Sequence, residues 1–181
     1  MLKFQSQYFD FKQQYDQIIE HFETAYPNYF QLKYNTQIAD IQDIQQHLPE
    51  DGVMISYFIG KTNYYIFAIS EFDFEVMELE KPADFEEKIT LFTQAIDRHN
   101  KKDFIDLSHE IYKLLLAPID YLILDTFEEI AHKPLIIIPH DILNYVPFEA
   151  LIYEKANEHT AYDELSFLLK QCVISYHYSA T

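Results

Sequence analysis

The sequence predicts an α/β fold, in which a mixed β-sheet is flanked by helices and preceded by a long amphipathic helix. The first observation is an unbroken apolar run from Leu135 to Ile138, typical of a central strand covered on both faces. The second is a series of three β-rich segments within residues 53–79, whose short connections predict an antiparallel meander. The third is the helical spacing of apolar residues before and after that meander.

Length and charge restrict the kind of protein. The chain has 181 residues, 49% of them hydrophobic, which suits one globular domain with room for a helical appendage. Its formal net charge is −17. Because nucleic acids and anionic membranes attract basic surfaces, we expect this chain to bind neither nucleic acid nor a membrane.

The scarcity of cysteine and glycine excludes several kinds of site. The single cysteine, Cys172, rules out an internal disulfide and fits a reducing cytoplasm. No apolar run approaches the ~18 residues of a membrane span, and no signal peptide is visible. Two glycines are too few for a GxGxxG motif, a P-loop or a GxSxG elbow, and the eight histidines lack ligand spacing. We therefore expect a cytoplasmic protein without a cofactor or a metal.

Residues 2–26 carry an apolar seam on one helix face. Its members recur at alternating intervals of four and three residues: Phe4, Tyr8, Phe11, Tyr15, Ile18 and Phe22. Two interpretations stay open for residues 1–30: a helix docked on the body of its own domain, and, as the family resemblance given below implies, the end of a helical repeat array. Residues 31–181 form the predicted main domain.

The predicted elements of the main domain begin with a helix. Asn35-Thr36 should cap it, with four apolar residues on its buried side: Ile38, Ile41, Ile44 and Leu48. Three strands follow, at Val53–Ile59, residues 64–70 and residues 74–79.

Helices and loops are predicted between the meander and the last strand. A helix starting at Pro82 should turn four residues inward: Phe85, Ile89, Phe92 and Ile96. After a polar break at residues 98–103, a second helix should run to Ala117 with five inward candidates: Phe104, Leu107, Ile111 and either Leu114 or Leu115. We also predict a helix at 119–130, the strand at 134–138, a surface loop at 155–164, one or two helical turns at 165–170 and a last strand at 172–178.

Residues 137–151, the signature segment, read Ile-Ile-Pro-His-Asp-Ile-Leu-Asn-Tyr-Val-Pro-Phe-Glu-Ala-Leu. Pro139 cannot donate to a ladder, so it should end the strand, and His140-Asp141 should begin a turn with a left-handed Asp. Four apolar residues should pin the following loop to the sheet: Leu143, Val146, Phe148 and Leu151. The segment resembles the IIPDGxLxYLPFEAL signature of CHAT domains, which are caspase-like domains usually found behind TPR repeats. His140-Asp141 stands in place of the Asp-Gly of that pattern.

Three other segments resemble the same family. Residues 48–60 look like its early strand, residues 111–119 like its LYxxLLxPL helix end, and residues 175–181 like its xYxPSAT strand. Tyr178 occupies the position where proline is common. The resemblance extends from about residue 30 to the C-terminus and implies a partial caspase-like fold.

The family's catalytic motifs, His-Gly and Ser-Ala-Cys, lie downstream of the PSAT strand, and this sequence contains neither. The resemblance therefore implies the N-terminal, non-catalytic portion of a cysteine peptidase domain. The only cysteine, Cys172, and the histidine nearest to it, His177, are five positions apart. On one strand their side chains would point to opposite faces at ~16 Å, so they cannot form a dyad. We expect Cys172 to be a small buried hydrophobe.

His140 and Asp141 are the best local site candidates, because ligand sites of open α/β sheets lie past the carboxyl ends of strands. A purely structural role in the turn is the interpretation that we favour. Glu149 should accept hydrogen bonds from backbone or hydroxyl groups. The residues to which we assign a structural signature role are Pro139, His140, Asp141, Pro147, Phe148, Glu149 and Leu151.

Two functions follow as hypotheses. In the first, the chain supports the sheet of a peptidase whose catalytic part lies elsewhere in the parent protein, and a peptide or protein substrate is engaged through that parent. In the second, the chain is a pseudo-enzyme or interaction module that works through protein contacts. An incomplete sheet would also leave an open edge. If residues 172–178 normally neighbour a missing strand, we expect the chain to pair there with itself or with another chain.

Overall fold

A computed structural model of the chain describes residues 11–15, 17–19, 21, 25, 39–124 and 133–179. The chain divides into two units, residues 1–39 together with Thr181, and residues 40–180.

In the first unit, residues 11–15 and 17–19 are helical, as the apolar seam predicts. Three seam residues are described, and all of them are largely exposed: Phe11 at 69%, Tyr15 at 61% and Ile18 at 54%. The other seam positions, Phe4, Tyr8 and Phe22, lie outside the described residues. The division of the sequence at residue 30 stays a prediction.

Among its described residues, the second unit is built on one mixed sheet of five strands. In chain order they are β1 (Val53–Ile59), β2 (Asn63–Ile69), β3 (Phe74–Glu80), β4 (Lys133–Ile138) and β5 (Cys172–Tyr176). Their order across the sheet is β3-β2-β1-β4-β5. The first three strands form the antiparallel meander, while β4 runs parallel to both β1 and β5. This arrangement confirms the predicted α/β class, and it places the 134–138 strand inside the sheet between β1 and β5, whereas β1 is the central strand.

The pleat of β4 divides its apolar run between the two faces of the sheet. Leu135 and Ile137 belong to the main core, and they are 1% and 0% exposed. Ile136 and Ile138 belong to a smaller cluster with Met54 and Ile69 on the opposite face. The strand ends before Pro139, because proline has no N–H to continue the ladder.

Two helices cover the main-core face, α2 (Phe85–Asp97) and α3 (Lys101–Leu115). Phe85, Ile89 and Phe92 of α2 are buried, as predicted. Ile96 was predicted to point inward, but it is 38% exposed and Ala95 is buried instead. At 3.6 residues per turn the buried face continues from Phe92 to the third following residue, where an alanine fits.

Helix α3 begins earlier and turns a broader face inward than its apolar pattern predicts. The polar break covers only residues 98–100, because the Asn100 side chain accepts from the backbone N–H of Asp103 and caps the helix. The buried residues of α3 are Ile105, Ser108, Ile111, Tyr112 and Leu115, whereas Phe104, Leu107 and Leu114 are only partly buried. The face is broad because Ile105 also packs with Ile152 and Leu165, from the chain that follows the signature segment.

The predicted helix at 119–130 is shorter than expected in the described residues, where it ends at Ile123. A 3₁₀ turn at Ala117–Ile119 leads into a short helix α4 (Asp120–Ile123), and Leu124 is already extended at φ −94° and ψ 113°. Residues 125–132 lie outside the described part. Apolar periodicity alone could not locate this end, since the spacing of the buried residues Ile119, Leu122 and Ile123 suits one face of a longer helix equally well.

The helix before the meander, α1 (Ile41–His47), also differs from the prediction. Its N-cap is Asp40, whose carboxylate accepts from the backbone N–H of Asp43 at 2.7 Å. The predicted caps at Asn35-Thr36 lie outside the described residues. Ile44 and Leu48 pack on the second face of the sheet, but Ile41 is 37% exposed. A short helix that begins at residue 41 has too few turns to bury all of its apolar positions.

The C-terminal segments follow the prediction with shorter elements. Residues 165–170 contain one 3₁₀ turn, Leu168–Lys170, and the last strand ends at Tyr176 rather than at residue 178. A further 3₁₀ turn lies at Tyr162–Glu164 in the predicted surface loop. Across the parts of the chain that the structure describes, no helix has the length and apolar character needed to span a membrane.

Candidate functional site: the signature segment past strand β4

The signature segment leaves β4 through a turn that two residues shape. Asp141 has φ 54°, the left-handed conformation expected at this position. The Nδ1 atom of His140 accepts from the backbone N–H of Ile59 at 3.1 Å, and the His140 ring lies 5.0 Å from that of Phe58. His140 therefore joins the start of the turn to the end of β1.

Two 3₁₀ turns, Asp141–Tyr145 and Phe148–Ala150, carry the segment back over the sheet. The four predicted anchors, Leu143, Val146, Phe148 and Leu151, are all buried, with exposures between 0% and 3%. The ring of Phe148 lies 5.6 Å from Tyr57 on β1 and 6.2 Å from Tyr176 on β5. The segment is thus held by packing across the centre of the sheet.

Tyr176 clamps the segment to β5 through its hydroxyl group. The hydroxyl accepts from the backbone N–H of Phe148 at 2.9 Å and donates to the carboxylate of Glu149. Burial of the ring, and then the bond to Glu149, raise the pKa of Tyr176 well above its ordinary value. Glu149 therefore has the hydroxyl partner that its position predicts, although the sequence does not show which residue supplies it.

Hydrogen bonds from α3 also hold the end of the signature segment, and they were not predicted from the sequence. The Oγ of Ser108, which is fully buried on α3, donates to the carbonyl of Ala150 and accepts from the N–H of Ile152, both at 2.9 Å. The Nδ1 of His109 lies 3.1 Å from the carbonyl of Ile152 and bonds to it. The only signal in the sequence is a serine on the apolar face of a helix.

Cys172 and His177 do not form a reactive pair. Cys172 is 4% exposed and packs into the main core, and burial raises the pKa of its thiol to about 11, despite the opposing effect of Lys133. His177 follows the end of β5 and donates its backbone N–H to Ile137 at 2.9 Å. In the described part of the chain, no hydrogen bond joins the thiol to an imidazole.

A groove of about 390 Å³ lies beside the segment, between α2 and β5. Its walls carry two acids and two tyrosines: Asp97, Glu149, Tyr145 and Tyr176. Tyr145 is 73% exposed, whereas its neighbours Val146 and Phe148 are buried. Within residues 39–124 and 133–179, no three His, Cys, Asp or Glu side chains are grouped as metal ligands would be.

The signature segment lies in a region of the chain that matches a known protein family. Residues 106–181 match the family model described as CHAT domain. This part of the chain is similar to the CHAT domain family. The CHAT match contains most of α3, the adjacent parallel strands β4 and β5, and the whole signature segment. The similarity of residues 48–60 to the CHAT early strand lies outside the match and stays a prediction. No curated protein matches the chain.

The left-handed turn of the CHAT signature segment can be tested by substitution. We expect Asp141→Gly to be neutral or to raise stability by up to about 1 kcal/mol, because glycine adopts positive φ without a steric penalty. Asp141→Val should lower stability by about 1–2 kcal/mol, because a β-branched residue is strained there. Urea unfolding of both variants measures the difference. Equal stabilities for the two variants would contradict the proposed role of the turn.

Proposed function

We propose that this chain is the sheet-supporting, non-catalytic N-terminal region of a CHAT domain, and that a catalytic Cys–His pair comes from another part of the parent protein. The observation that carries this proposal is the state of Cys172. A nucleophilic cysteine must be a thiolate, which an adjacent base or positive charge stabilises. Cys172 is buried, with a thiol pKa of about 11, so it remains protonated at neutral pH.

In this proposal the signature segment is a structural brace for the caspase-like sheet. His140 joins it to β1, Ser108 joins it to α3, and Tyr176 joins it to β5. The seven signature residues act through packing and hydrogen bonds and do not contact substrate. A parent cysteine peptidase would contribute its reactive groups to a sheet held in this way, and residues 1–30 would receive signals from a TPR-like helical array in the cytoplasm.

The reactivity of Cys172 tests the first part of the proposal. We expect an electrophilic peptide probe to leave the folded chain unlabelled at neutral pH and to label the urea-unfolded chain rapidly. A thiol pKa near 11, against an ordinary value of 9.0, leaves about a hundredfold less thiolate. Labelling should therefore accelerate as the pH rises towards 11. The thiol pKa is higher in the folded chain than in the unfolded chain. Between pH 9 and about 11 the unfolded thiol is therefore ionised while the folded thiol is still protonated, so the free energy of unfolding should fall as the pH rises through this range. Rapid stoichiometric labelling of the folded chain at neutral pH would overturn the proposal.

The coding sequence beyond Thr181 in the parent gene tests the second part. A His-Gly motif at a strand end, followed by a cysteine after a later strand, would support a peptidase parent. Their absence would favour the second candidate, an interaction module or pseudo-enzyme. The observation in favour of that candidate is the groove beside the signature segment, where exposed Tyr145 and two carboxylates, Asp97 and Glu149, offer contacts to a basic peptide.

A further inference from the structure

Strand β5 lies at the end of the described sheet, and one of its two sides has no partner strand among the described residues. Two backbone hydrogen bonds show which side of β5 faces β4. The backbone N–H of Lys133 donates to the carbonyl of Gln171 at 3.0 Å, and the backbone N–H of His177 donates to the carbonyl of Ile137 at 2.9 Å. The odd-numbered residues of β5 therefore turn their backbone groups towards β4. The N–H and C=O groups of Cys172, Ile174 and Tyr176 point away from the sheet, where they meet no strand of the described chain.

The two edges of the sheet differ in charge. Strand β3, at the opposite edge, carries Glu75, Glu78 and Glu80, which discourage another strand from pairing there. Strand β5 has the sequence Cys-Val-Ile-Ser-Tyr, with no charged residue and no proline, in a chain of net charge −17. Val173 is 59% exposed and Tyr176 is 44% exposed. A neutral strand with free backbone groups and exposed apolar side chains has the properties of a pairing surface.

We propose that the β5 edge binds the β5 edge of a second copy of this chain, in an antiparallel pair centred on Ile174. In this register Ile174 faces its own counterpart, and Cys172 faces Tyr176 of the other copy. Every outward N–H and C=O group of both strands then finds a partner, because the three outward residues are arranged symmetrically about Ile174. The result is a continuous sheet across a twofold axis.

A second copy fits this edge better than a charged partner for an electrostatic reason. The strands that meet are neutral, whereas the remainder of each chain is strongly acidic and would attract a basic partner elsewhere on the surface. Repulsion between two chains of net charge −17 makes the pair weak at low salt, and screening should strengthen it. The proposal uses only the open edge, so it does not depend on the non-catalytic role proposed for the chain.

Two single-cysteine variants test the register in a Cys172→Ala background. Opposite residues of the pair include Val173 and Ser175, whose Cα atoms should lie about 4.5 Å apart, within reach of a disulfide. Val173→Cys and Ser175→Cys proteins mixed under a glutathione redox buffer should form a cross-linked dimer. Either variant alone should not, because its two copies of the cysteine lie diagonally at about 7–8 Å. Cross-linking of either variant alone, as efficiently as the mixture, would reject the register.

Analytical ultracentrifugation of the whole chain tests the association itself, between about 1 μM and about 500 μM. We expect a monomer–dimer equilibrium that shifts towards dimer when salt is raised. Val173→Lys, on the exposed face of β5, should weaken the dimer by about tenfold, whereas Val76→Lys, at a similarly exposed site of β3, should leave it unchanged. A chain that stays monomeric throughout, or equal effects of the two lysines, would overturn the proposal. Labelling of Cys172 in the monomer reports separately on the proposed function.

Discussion

Phe148→Ala is expected to destabilise the chain by about 3–5 kcal/mol. The Phe148 side chain is fully buried and has ring contacts with Tyr57 and Tyr176, so its removal leaves a cavity where the signature segment crosses the sheet. The neighbours cannot close this cavity easily. Tyr57 donates its hydroxyl to the carbonyl of Leu115 on α3, and Tyr176 is held by Glu149. Because domains of this kind are stable by about 5–15 kcal/mol, the substitution removes a large share of the total.

Urea unfolding followed by circular dichroism measures this effect, with an unchanged m-value showing that the same surface is exposed. Tyr145→Ala is the matched control, because Tyr145 is an aromatic residue of the same segment that is 73% exposed. We expect the control to change stability by no more than about 0.5 kcal/mol. A loss below about 1 kcal/mol for Phe148→Ala would show that the segment is not a structural brace.

The strands were predictable because their signal is local. The β-rich segment Val53–Ile59 is bounded by turn residues on both sides, and its predicted bounds are those of β1. The strand before Pro139 ends where the missing N–H requires, and the position of Asp141 in a turn agrees with its left-handed φ. Short connections between the first three strands also determined that they pair antiparallel.

Helix faces and helix ends were predicted less well because they depend on what packs against them. Ala95 replaces Ile96 on the inner face of α2, although isoleucine is the more apolar residue. The end of α4 at Ile123 is not marked in the apolar spacing, which Ile119, Leu122 and Ile123 would also show in a longer helix.

In the candidate site, too, locally determined features were predictable from the sequence, whereas contacts between distant residues were not. That Glu149 needs a hydrogen-bond donor follows from the chemistry of a carboxylate near a core, but the donor, Tyr176, is separated from it by 27 residues. The burial of Cys172 was expected from its place at the start of an apolar strand. The role of Ser108 could not be predicted, because its two partners belong to a segment more than 40 residues away.

Ser108→Ala is expected to lower stability by about 2–3 kcal/mol, although it removes a single oxygen atom. That oxygen has two partners, the carbonyl of Ala150 and the N–H of Ile152, and it lies in a fully buried position. Alanine cannot accept a hydrogen bond, so the N–H of Ile152 would be left without its acceptor. The hydroxyl of Ser166 is a suitable comparison, because it bonds to the exposed carboxylate of Glu154, where water can replace it.

The loss in Ser108→Ala should appear both globally and at one amide. In urea unfolding we expect Ser166→Ala to cost less than about 1 kcal/mol, so that the two alanine variants differ clearly. Native-state hydrogen exchange should show faster exchange of the Ile152 amide in Ser108→Ala, because its acceptor is gone while Ile152 itself remains in a packed cluster. Unchanged exchange at Ile152, or equal losses in the two variants, would mean that packing rather than this hydroxyl holds the chain after the signature segment against α3.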